Sequence, residues 1–307
     1  MPNLAQIMNF QFEKKPKLAI LILSCFRHEK LEELVFEINS LNLNLPIRVF
    51  IDKYEGSSDS LLQLNRAVIY ISQELKLNGR IEDFRLATSN LKTKKAWHSG
   101  VNFIFEEYDN LLYIEDDMKI QTELLAQIGA INELNLNDCI VNLYPPKSHW
   151  FPKFNPSFIY SDWPSLGGVM LSKKIYKELC NEDLISVAKI ENIVKNTFEN
   201  LFFKRINDKN VFLEIWTNKF IRAINSDTAW DTELHLRIWQ KNIPILNSFV
   251  KGVLNTSIDE TNLSKSRSPR DERDFKHIGR FKYNLNSNNY PMCLRCESIR
   301  YFSNGLN

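Results

Sequence analysis

Three consecutive carboxylates, Glu115, Asp116 and Asp117, follow directly on the apolar run Leu111–Ile114. Four apolar residues in a row predict a short buried strand, and buried parallel strands present ligand-binding groups at their carboxyl ends. Adjacent anions repel one another, and Mg²⁺ or Mn²⁺ is the usual compensating ion for oxygen ligands. The pattern therefore predicts a divalent metal and phosphate chemistry at a strand end. A solvated acidic turn is the alternative.

Polar residues also follow the two earlier predicted strands. Ser24 and Arg27 come after the apolar run 18–23, where backbone N–H groups and a guanidinium can meet a phosphate or a base. Asp52 closes the run 47–51, and its carboxylate can bind a base or ribose, although a capping or turn role accounts for it equally well. Because the carboxyl ends of parallel strands share one sheet edge, these groups and the acids together predict a nucleotide site.

The elements that must position these groups alternate along the first half of the chain. Strands are predicted at 18–23, 47–51, 81–86 and 111–114, and helices at 28–39, 58–77 and 97–108. This order predicts an α/β fold with a mostly parallel, Rossmann-like sheet and helices on both faces. Lys92, Lys94 and Lys95 precede the third helix. Such a basic run is usually only solvated, but this one leads toward the acids, and Lys95 is our candidate for nucleotide binding.

The second half of the chain is less regular. Strands are predicted at 139–143, 166–171 and 244–246, a rigid loop at 144–163, a helical segment at 181–224 and an amphipathic helix at 230–240. Residues 255–274 contain hardly any apolar side chains, so we expect a mobile surface loop there. The glycine-rich dinucleotide motif and the P-loop motif are both absent from the sequence, which argues against those two kinds of site.

Composition excludes several classes of protein. The chain has 307 residues, 44% of them hydrophobic, and a formal net charge of +2, so no global field favours nucleic acid or an anionic membrane as partner. No signal peptide and no run of about 18 apolar residues is visible, so we expect a cytoplasmic protein, with peripheral membrane contact left open. The five cysteines are scattered apart from Cys293 and Cys296, which argues against a disulfide framework and is weak evidence for zinc.

Four segments resemble glycosyltransferases of the GT-A fold, most closely the group of N-acetylglucosaminyltransferase I and the O-mannose N-acetylglucosaminyltransferases. The segments are Ala19–Arg27, Phe50–Asp52, Leu112–Asp117 with the EDD form of the DxD motif, and Ser161–Leu171 followed by Ala229–Thr232. The resemblance implies a GT-A domain over residues 1–253, with a nucleotide-sugar-binding half (1–143) and an acceptor-side half (144–253) that carries a helical insertion (181–224). Residues 254–307 would then form the mobile loop and a C-terminal tail.

The resemblance also implies roles for individual residues. Asp117 would hold Mn²⁺ or Mg²⁺, while Glu115 and Asp116 would bind ribose hydroxyls or metal-bound water. Asp231 would be the general base of an inverting transfer from a UDP-sugar, with N-acetylglucosamine one candidate sugar, to a glycan or other hydroxyl acceptor. A helix-capping role is the alternative for Asp231. His277 would return to the metal as a second protein ligand.

The chain departs from this family at two places. The Trp-Asp-Asp of the family becomes Trp230-Asp231-Thr232, so the assignment of the base rests on Asp231 alone, and the segment 181–224 is longer than expected. Two rival functions also explain the acids. A nucleotidyltransferase that makes a sugar nucleotide usually has a glycine-rich basic loop after its first strand, and residues 24–28 contain no glycine. A non-catalytic glycan-binding module is favoured if Asp231 is buried in a structural hydrogen bond.

Overall fold

The computed structural model describes residues 18–131, 138–143, 158–161, 168–180, 186–200, 209–248, 253–255 and 300–301. Within them the strands are β1 Leu18–Ser24, β2 Ile47–Ile51, β3 Asp83–Leu86, β4 Asn110–Glu115, β5 Met118–Ile120, β6 Ile140–Asn142, β7 Phe158–Ser161, β8 Gly168–Ser172, β9 Ile245–Ser248, β10 Val253–Asn255 and β11 Arg300–Tyr301. The helices are α1 His28–Ser40, α2 Asp59–Leu77, α3 Lys92–Phe105, α4 Glu123–Ile131, α5 Lys173–Cys180, α6 Val187–Asn200, α7 Lys209–Ile224 and α8 Trp230–Lys241.

Nine strands form one mixed sheet in the order β11-β7-β9-β6-β8-β4-β1-β2-β3. The pairings give β7 and β8 one direction and the other seven strands the opposite direction, so the sheet is mostly parallel. β5 and β10 pair separately as an antiparallel ribbon. The predicted α/β fold with helices flanking a mostly parallel sheet is therefore confirmed.

The sheet is covered on both faces, which explains why its central strands are continuous apolar runs. Alternate side chains of β1 enter different cores. Leu18, Ile20 and Ile22 pack in the core that contains α1, α2 and α4, whereas Ala19 and Leu21 pack in the core that contains α3, α5 and α8. On the second face α3 lies close to the sheet, since a Cβ at Gly100 would lie 3.1 Å from Cβ of Phe50. The strand ends and the start of α8 are thus fixed by packing.

Local signals place α2 as the sequence predicts. Ser58 is its N-cap and its Oγ accepts a hydrogen bond from the N–H of Leu61 at 3.5 Å. Asn78 is the C-cap, and Gly79 has a φ of +66°, a left-handed conformation that glycine adopts without steric cost. The sequence offers Ser57, Ser58 or Asp59 as the cap and Asn78-Gly79 as the terminator; the structure selects Ser58 and confirms the terminator.

The helices α6, α7 and α8 form a third core rich in aromatic residues. Its members include Phe212, Trp216, Phe220 and Trp239, whose rings pack in edge-to-face, tilted and stacked contacts. The predicted helical character of residues 181–224 is confirmed where they are described. None of the helices within the described ranges has the length and apolar character needed to cross a membrane.

Some boundaries and short strands differ from the predictions. β7 lies inside the stretch 144–163 that was predicted as a loop, and the short strands β5 and β10 were not predicted. All three pair with strands distant in sequence, so no local pattern marks them. α3 begins at Lys92, not at Trp97, because the lysines at 92, 94 and 95 form its first turn.

Candidate functional site

The carboxyl ends of β1, β2 and β4 bring the predicted site residues to one edge of the sheet. β1 lies between β2 and β4 and is parallel to both. Leu23 pairs with Glu115, so Ser24 lies beside Asp116, and the N–H of Asp52 donates to the carbonyl of Ser24 at 3.0 Å. The expectation that these groups share one edge is therefore met.

An acid–arginine cluster of Ser24, Arg27, Asp116 and Asp117 forms at this edge. Ser24 Oγ donates to Oδ2 of Asp116 at 2.6 Å, and Arg27 Nη1 donates to Oδ2 of Asp117 at 2.8 Å. The other guanidinium nitrogen of Arg27 makes an ion pair with Oδ1 of Asp116. The Asp116 side chain is 1% exposed and that of Asp117 is 14% exposed. Asp117 is therefore the carboxylate of this pair that lies nearer to solvent.

Arg27 weakens the inference that repulsion among the acids requires a metal ion. The sequence prediction used a divalent ion as the compensating charge, but Arg27 already contacts both aspartates. Burial raises the pKa of Asp116, and the charge of Arg27 opposes that effect. Burial also disfavours the charged form of Arg27, yet Asp116 and Asp117 raise its pKa above the ordinary value. Repulsion among the acids thus does not by itself require a metal.

Glu115 faces the other side of the strand end. It is half-buried, and the hydroxyl of Tyr113 lies 3.5 Å from its Oε1. Burial raises the pKa of Tyr113 well above its ordinary value, and the neighbouring charge of Glu115 adds to the effect. Tyr113 therefore stays a neutral phenol that can donate to Glu115.

Asp52 makes the contacts of a long-range helix cap. Its Oδ1 accepts from the N–H of Leu91 at 2.8 Å, just before α3 begins. Burial raises the pKa of Asp52, while this bond and the nearby backbone N–H groups of Lys53 and Lys92 oppose the shift. The capping role that the sequence left open accounts for these contacts. A base or ribose contact by Asp52 stays a prediction.

Asn65 is a part of this edge that sequence reasoning missed. It is 2% exposed on α2, and its Nδ2 donates to the carbonyls of Cys25 at 2.8 Å and Asp52 at 2.9 Å. Its Oδ1 accepts from the N–H of Tyr54 at 3.2 Å. The available signal was an amide on the buried stripe of α2 with Val68 and Ser72, because a buried amide must find partners.

The start of α8 packs against β4 next to the acids. The ring of Trp230 stacks on Trp97 with centroids 4.7 Å apart and meets Tyr113 edge-on at 5.2 Å. Asp231 follows in the first turn and is exposed. The N-cap of α8 is Ala229, without a side-chain capping bond, so the capping alternative for Asp231 is wrong. Its hydrogen bond with Thr232 is 3.5 Å long.

Lys94 is engaged with α8, whereas Lys95 is exposed. The ammonium of Lys94 pairs with Glu233, which is 8% exposed and also accepts two hydrogen bonds from Arg237 at 2.8 and 3.0 Å. Burial raises the pKa of Glu233, but Lys94 and Arg237 outweigh it and the net shift is downward. Sequence reasoning did not single out Lys94 for these contacts. A nucleotide contact by Lys95 stays a prediction.

Of the two predicted metal ligands, Asp117 lies within the described residues and His277 does not. His277, the loop 255–274 beyond Asn255 and the cysteines 293 and 296 lie outside the described residues. Within the described ranges, no group of three or more His, Cys, Asp or Glu side chains is arranged to hold a metal ion. Asp117 fits a hard cation that takes one or two carboxylates from the protein and the rest of its ligands from water and substrate phosphates.

Comparisons with known proteins return structural matches alone. No family model matches the chain. No curated protein matches it either. Among solved structures, 107 chains match. One is TarS of S. aureus, with 10% identity, a TM-score of 0.37, and coverage of 53% of this chain and 29% of TarS.

Two further matches show how broad the similarity is. The mannosyltransferase PcManGT from Pyrobaculum calidifontis, in complex with GDP-Man and Mn²⁺, has 10% identity and a TM-score of 0.39 over 75% of this chain and 70% of that one. A putative glucose-1-phosphate thymidylyltransferase from Bacillus anthracis has 9% identity and a TM-score of 0.36 over 54% of this chain and 76% of that one. Identities and TM-scores this low do not decide between glycosyl and nucleotidyl transfer.

Proposed function

We propose that this chain is a metal-dependent, inverting glycosyltransferase of the GT-A type that moves a sugar from a UDP-sugar to a hydroxyl of a glycan or glycoconjugate. One observation carries the proposal most directly. Trp230 contacts Tyr113 on β4, the strand that ends in the predicted acids, and the next residue, Asp231, is exposed. Such an arrangement combines a phosphate-binding edge with a base on a separate element.

The donor would bind at the carboxyl edge of β1, β2 and β4. Arg27 offers guanidinium donors suited to phosphate oxygens, and its side chain is 45% exposed despite its two ion pairs. Asp117, and His277 if it reaches the edge, would hold Mn²⁺ or Mg²⁺. The ion would supply charge stabilisation for the departing diphosphate. Glu115 and Asp116 would serve the ribose or metal-bound water, and N-acetylglucosamine is our candidate sugar.

Asp231 would take the proton from the acceptor hydroxyl. A general base must be reachable by the acceptor and must not be neutralised by a fixed cation. Asp231 meets the first requirement through its exposure, whereas the nearby Glu233 is buried and paired with Lys94 and Arg237. Burial of Asp231 in a structural hydrogen bond would have favoured the glycan-binding alternative, and the exposure of Asp231 removes that support.

Three assays on the intact protein separate the candidate functions. With UDP-sugars and Mn²⁺, a glycosyltransferase should slowly release UDP by transfer to water. Exchange of labelled pyrophosphate into a sugar nucleotide would indicate the nucleotidyltransferase. A binding module should show thermal stabilisation by glycan with neither reaction, and ligand at about 100 times its Kd stabilises by about 2.7 kcal/mol. Failure of UDP, with or without Mn²⁺, to shift the melting temperature would contradict our proposal.

A further inference from the structure

Lys94 on α3 contacts two other helices, α7 and α8. It lies in the first turn of α3, and its side chain is 18% exposed. Its ammonium donates to the carbonyls of Ala223 at 3.5 Å and Ile224 at 3.2 Å, at the end of α7. The same ammonium pairs with the carboxylate of Glu233 on α8. A partly buried ammonium with three acceptors is a well-satisfied structural cation.

The contacts of Lys94 lie on both sides of Asp231 along the chain. The backbone N–H of Lys94 also donates to the carbonyl of Asp227, in the turn between α7 and α8, at 2.9 Å. Lys94 therefore holds residues 223, 224, 227 and 233. Asp231 lies between the last two of these positions.

The start of α3 is also bonded to the end of β2, at the edge of the sheet where we propose that the donor binds. Leu91, three residues before Lys94, donates its N–H to Asp52 at the end of β2. Three residues after Lys94, Trp97 stacks on Trp230. The segment from Leu91 to Trp97 thus links a strand end of the predicted nucleotide site to the start of α8. Because this segment is held at both ends, it fixes the distance between the end of β2 and the start of α8.

We infer that Lys94 is a positioning residue for Asp231, which sets the start of α8 relative to the carboxyl edge of the sheet. The inference rests on the proposed function, because it concerns the placement of the proposed base. The Lys94 side chain acts through Glu233 and the end of α7, and its backbone N–H acts through the turn at Asp227. Its loss should shift Asp231 while Glu233 keeps the charge of Arg237 as a partner.

Lys94→Met tests this role because methionine keeps the length of the chain and removes the charge and the donors. Transfer turnover should fall about 10- to 100-fold while the affinity for UDP with Mn²⁺ changes by less than about 2-fold. Lys94→Arg retains the charge and should recover most of the turnover. Lys195→Met, at an exposed position of α6, is the matched control and should behave as wild type. Melting curves of all variants establish that they are folded.

A double variant separates positioning from an independent effect. If Lys94 acts only through Asp231, adding Lys94→Met to Asp231→Asn should lower the residual turnover by less than about 2-fold. A further drop as large as that in the wild-type background would overturn the inference. Equal turnover of Lys94→Met and wild type would also overturn it.

Amide hydrogen exchange tests the placement without any activity. Residues 227–233 should exchange faster in Lys94→Met than in wild type or Lys195→Met, because the side-chain restraints at Ile224 and Glu233 are removed while the backbone bond to Asp227 remains. Unchanged exchange in these residues would contradict the positioning role. If wild type transferred no sugar from any donor but exchange increased as expected, the proposed function would fail while the structural role of Lys94 stood.

Discussion

Asp116 at the end of β4 and Glu233 in the first turn of α8 are both buried carboxylates, yet their pKa values shift in opposite directions. Asp116 is 1% exposed and has Arg27 as cation, Ser24 as donor and the charge of Asp117 beside it, so burial prevails and its pKa rises. Glu233 is 11% exposed in its side chain and has two cations, so its pKa falls. Asp116 is the more deeply buried acid and has one cation, whereas Glu233 has two, and this balance of burial against charge accounts for the opposite directions.

Asp116 and Glu233 each have a second, more exposed acid close by in the sequence. Asp117 follows Asp116 and shares its arginine, whereas Asp231 precedes Glu233 by two residues and is exposed. In both regions a cation fixes the inner carboxylate, and the outer one lies toward the solvent. The comparison suggests that the inner acids organise the two halves of the site and that the outer acids act on ligands. The predictions below test this division.

Asp231→Asn should produce the largest effect. The amide keeps the shape of the side chain but cannot take a proton, so transfer should fall about 10²- to 10⁴-fold while donor affinity stays near wild type. Turnover and calorimetric UDP-sugar affinity are measured on the same preparation. Asp109→Asn, an exposed aspartate just before β4, is the control. Near-normal transfer by Asp231→Asn would remove Asp231 from the role of base.

Asp117→Ala should act on metal-dependent binding and not on folding. Changes in groups that support a metal ligand cost about 10- to 100-fold in affinity, so loss of a direct ligand should weaken Mn²⁺-dependent UDP binding by at least that much. The free energy of unfolding should change by less than about 1 kcal/mol, because a partly exposed ion pair is lost and a repulsion is relieved. Calorimetry with UDP, with and without Mn²⁺, gives the result, and Asp109→Ala is the control. Unchanged Mn²⁺-dependent affinity would contradict the metal assignment.

Glu233→Gln should affect stability in a pH-dependent way. The pKa of Glu233 in the folded protein lies below its ordinary value of 4.5. Its stabilisation is therefore present in full above pH 4.5 and is lost as the pH falls through the folded value. Near neutral pH the substitution should cost about 1–3 kcal/mol in the free energy of unfolding. Urea unfolding at several pH values measures it, with Glu191→Gln on the exposed face of α6 as control. A cost that grew as the pH fell below 4.5 would contradict the ion-pair explanation.

The regular part of the fold followed from sequence because its signals are local. The signals for the strands at 18–23 and 47–51, for a cap among residues 57–59 and for the terminator at Asn78 each act within one or two turns of chain, and the structure bears them out. The sharing of one edge by Ser24, Asp52 and Asp116 also followed, because parallel strands align their carboxyl ends.

The partners of the site residues did not follow from sequence. Arg27 meets Asp117 across 90 residues, and Lys94 meets the end of α7 across about 130 residues, so each contact depends on how separate elements pack. Three lysines within four residues look alike in sequence, yet the helical periodicity of α3 turns Lys94 inward and leaves Lys95 exposed. The strands β5 and β10 pair across a long sequence separation, so no local pattern marks either of them.

Thr232→Ala should have the smallest effect and sharpens the contrast between the outer acids. Thr232 Oγ1 lies 3.5 Å from Oδ1 of Asp231, at the outer limit of a hydrogen bond, whereas Arg27 bonds Asp117 at 2.8 Å. Asp231 should therefore not depend on Thr232 for its orientation, and turnover should change by less than about 3-fold, with less than about 0.5 kcal/mol in the free energy of unfolding. Steady-state kinetics and urea unfolding measure both. A loss of turnover close to that of Asp231→Asn would mean that a side-chain bond, and not the packing of α8 on β4, sets the proposed base in place.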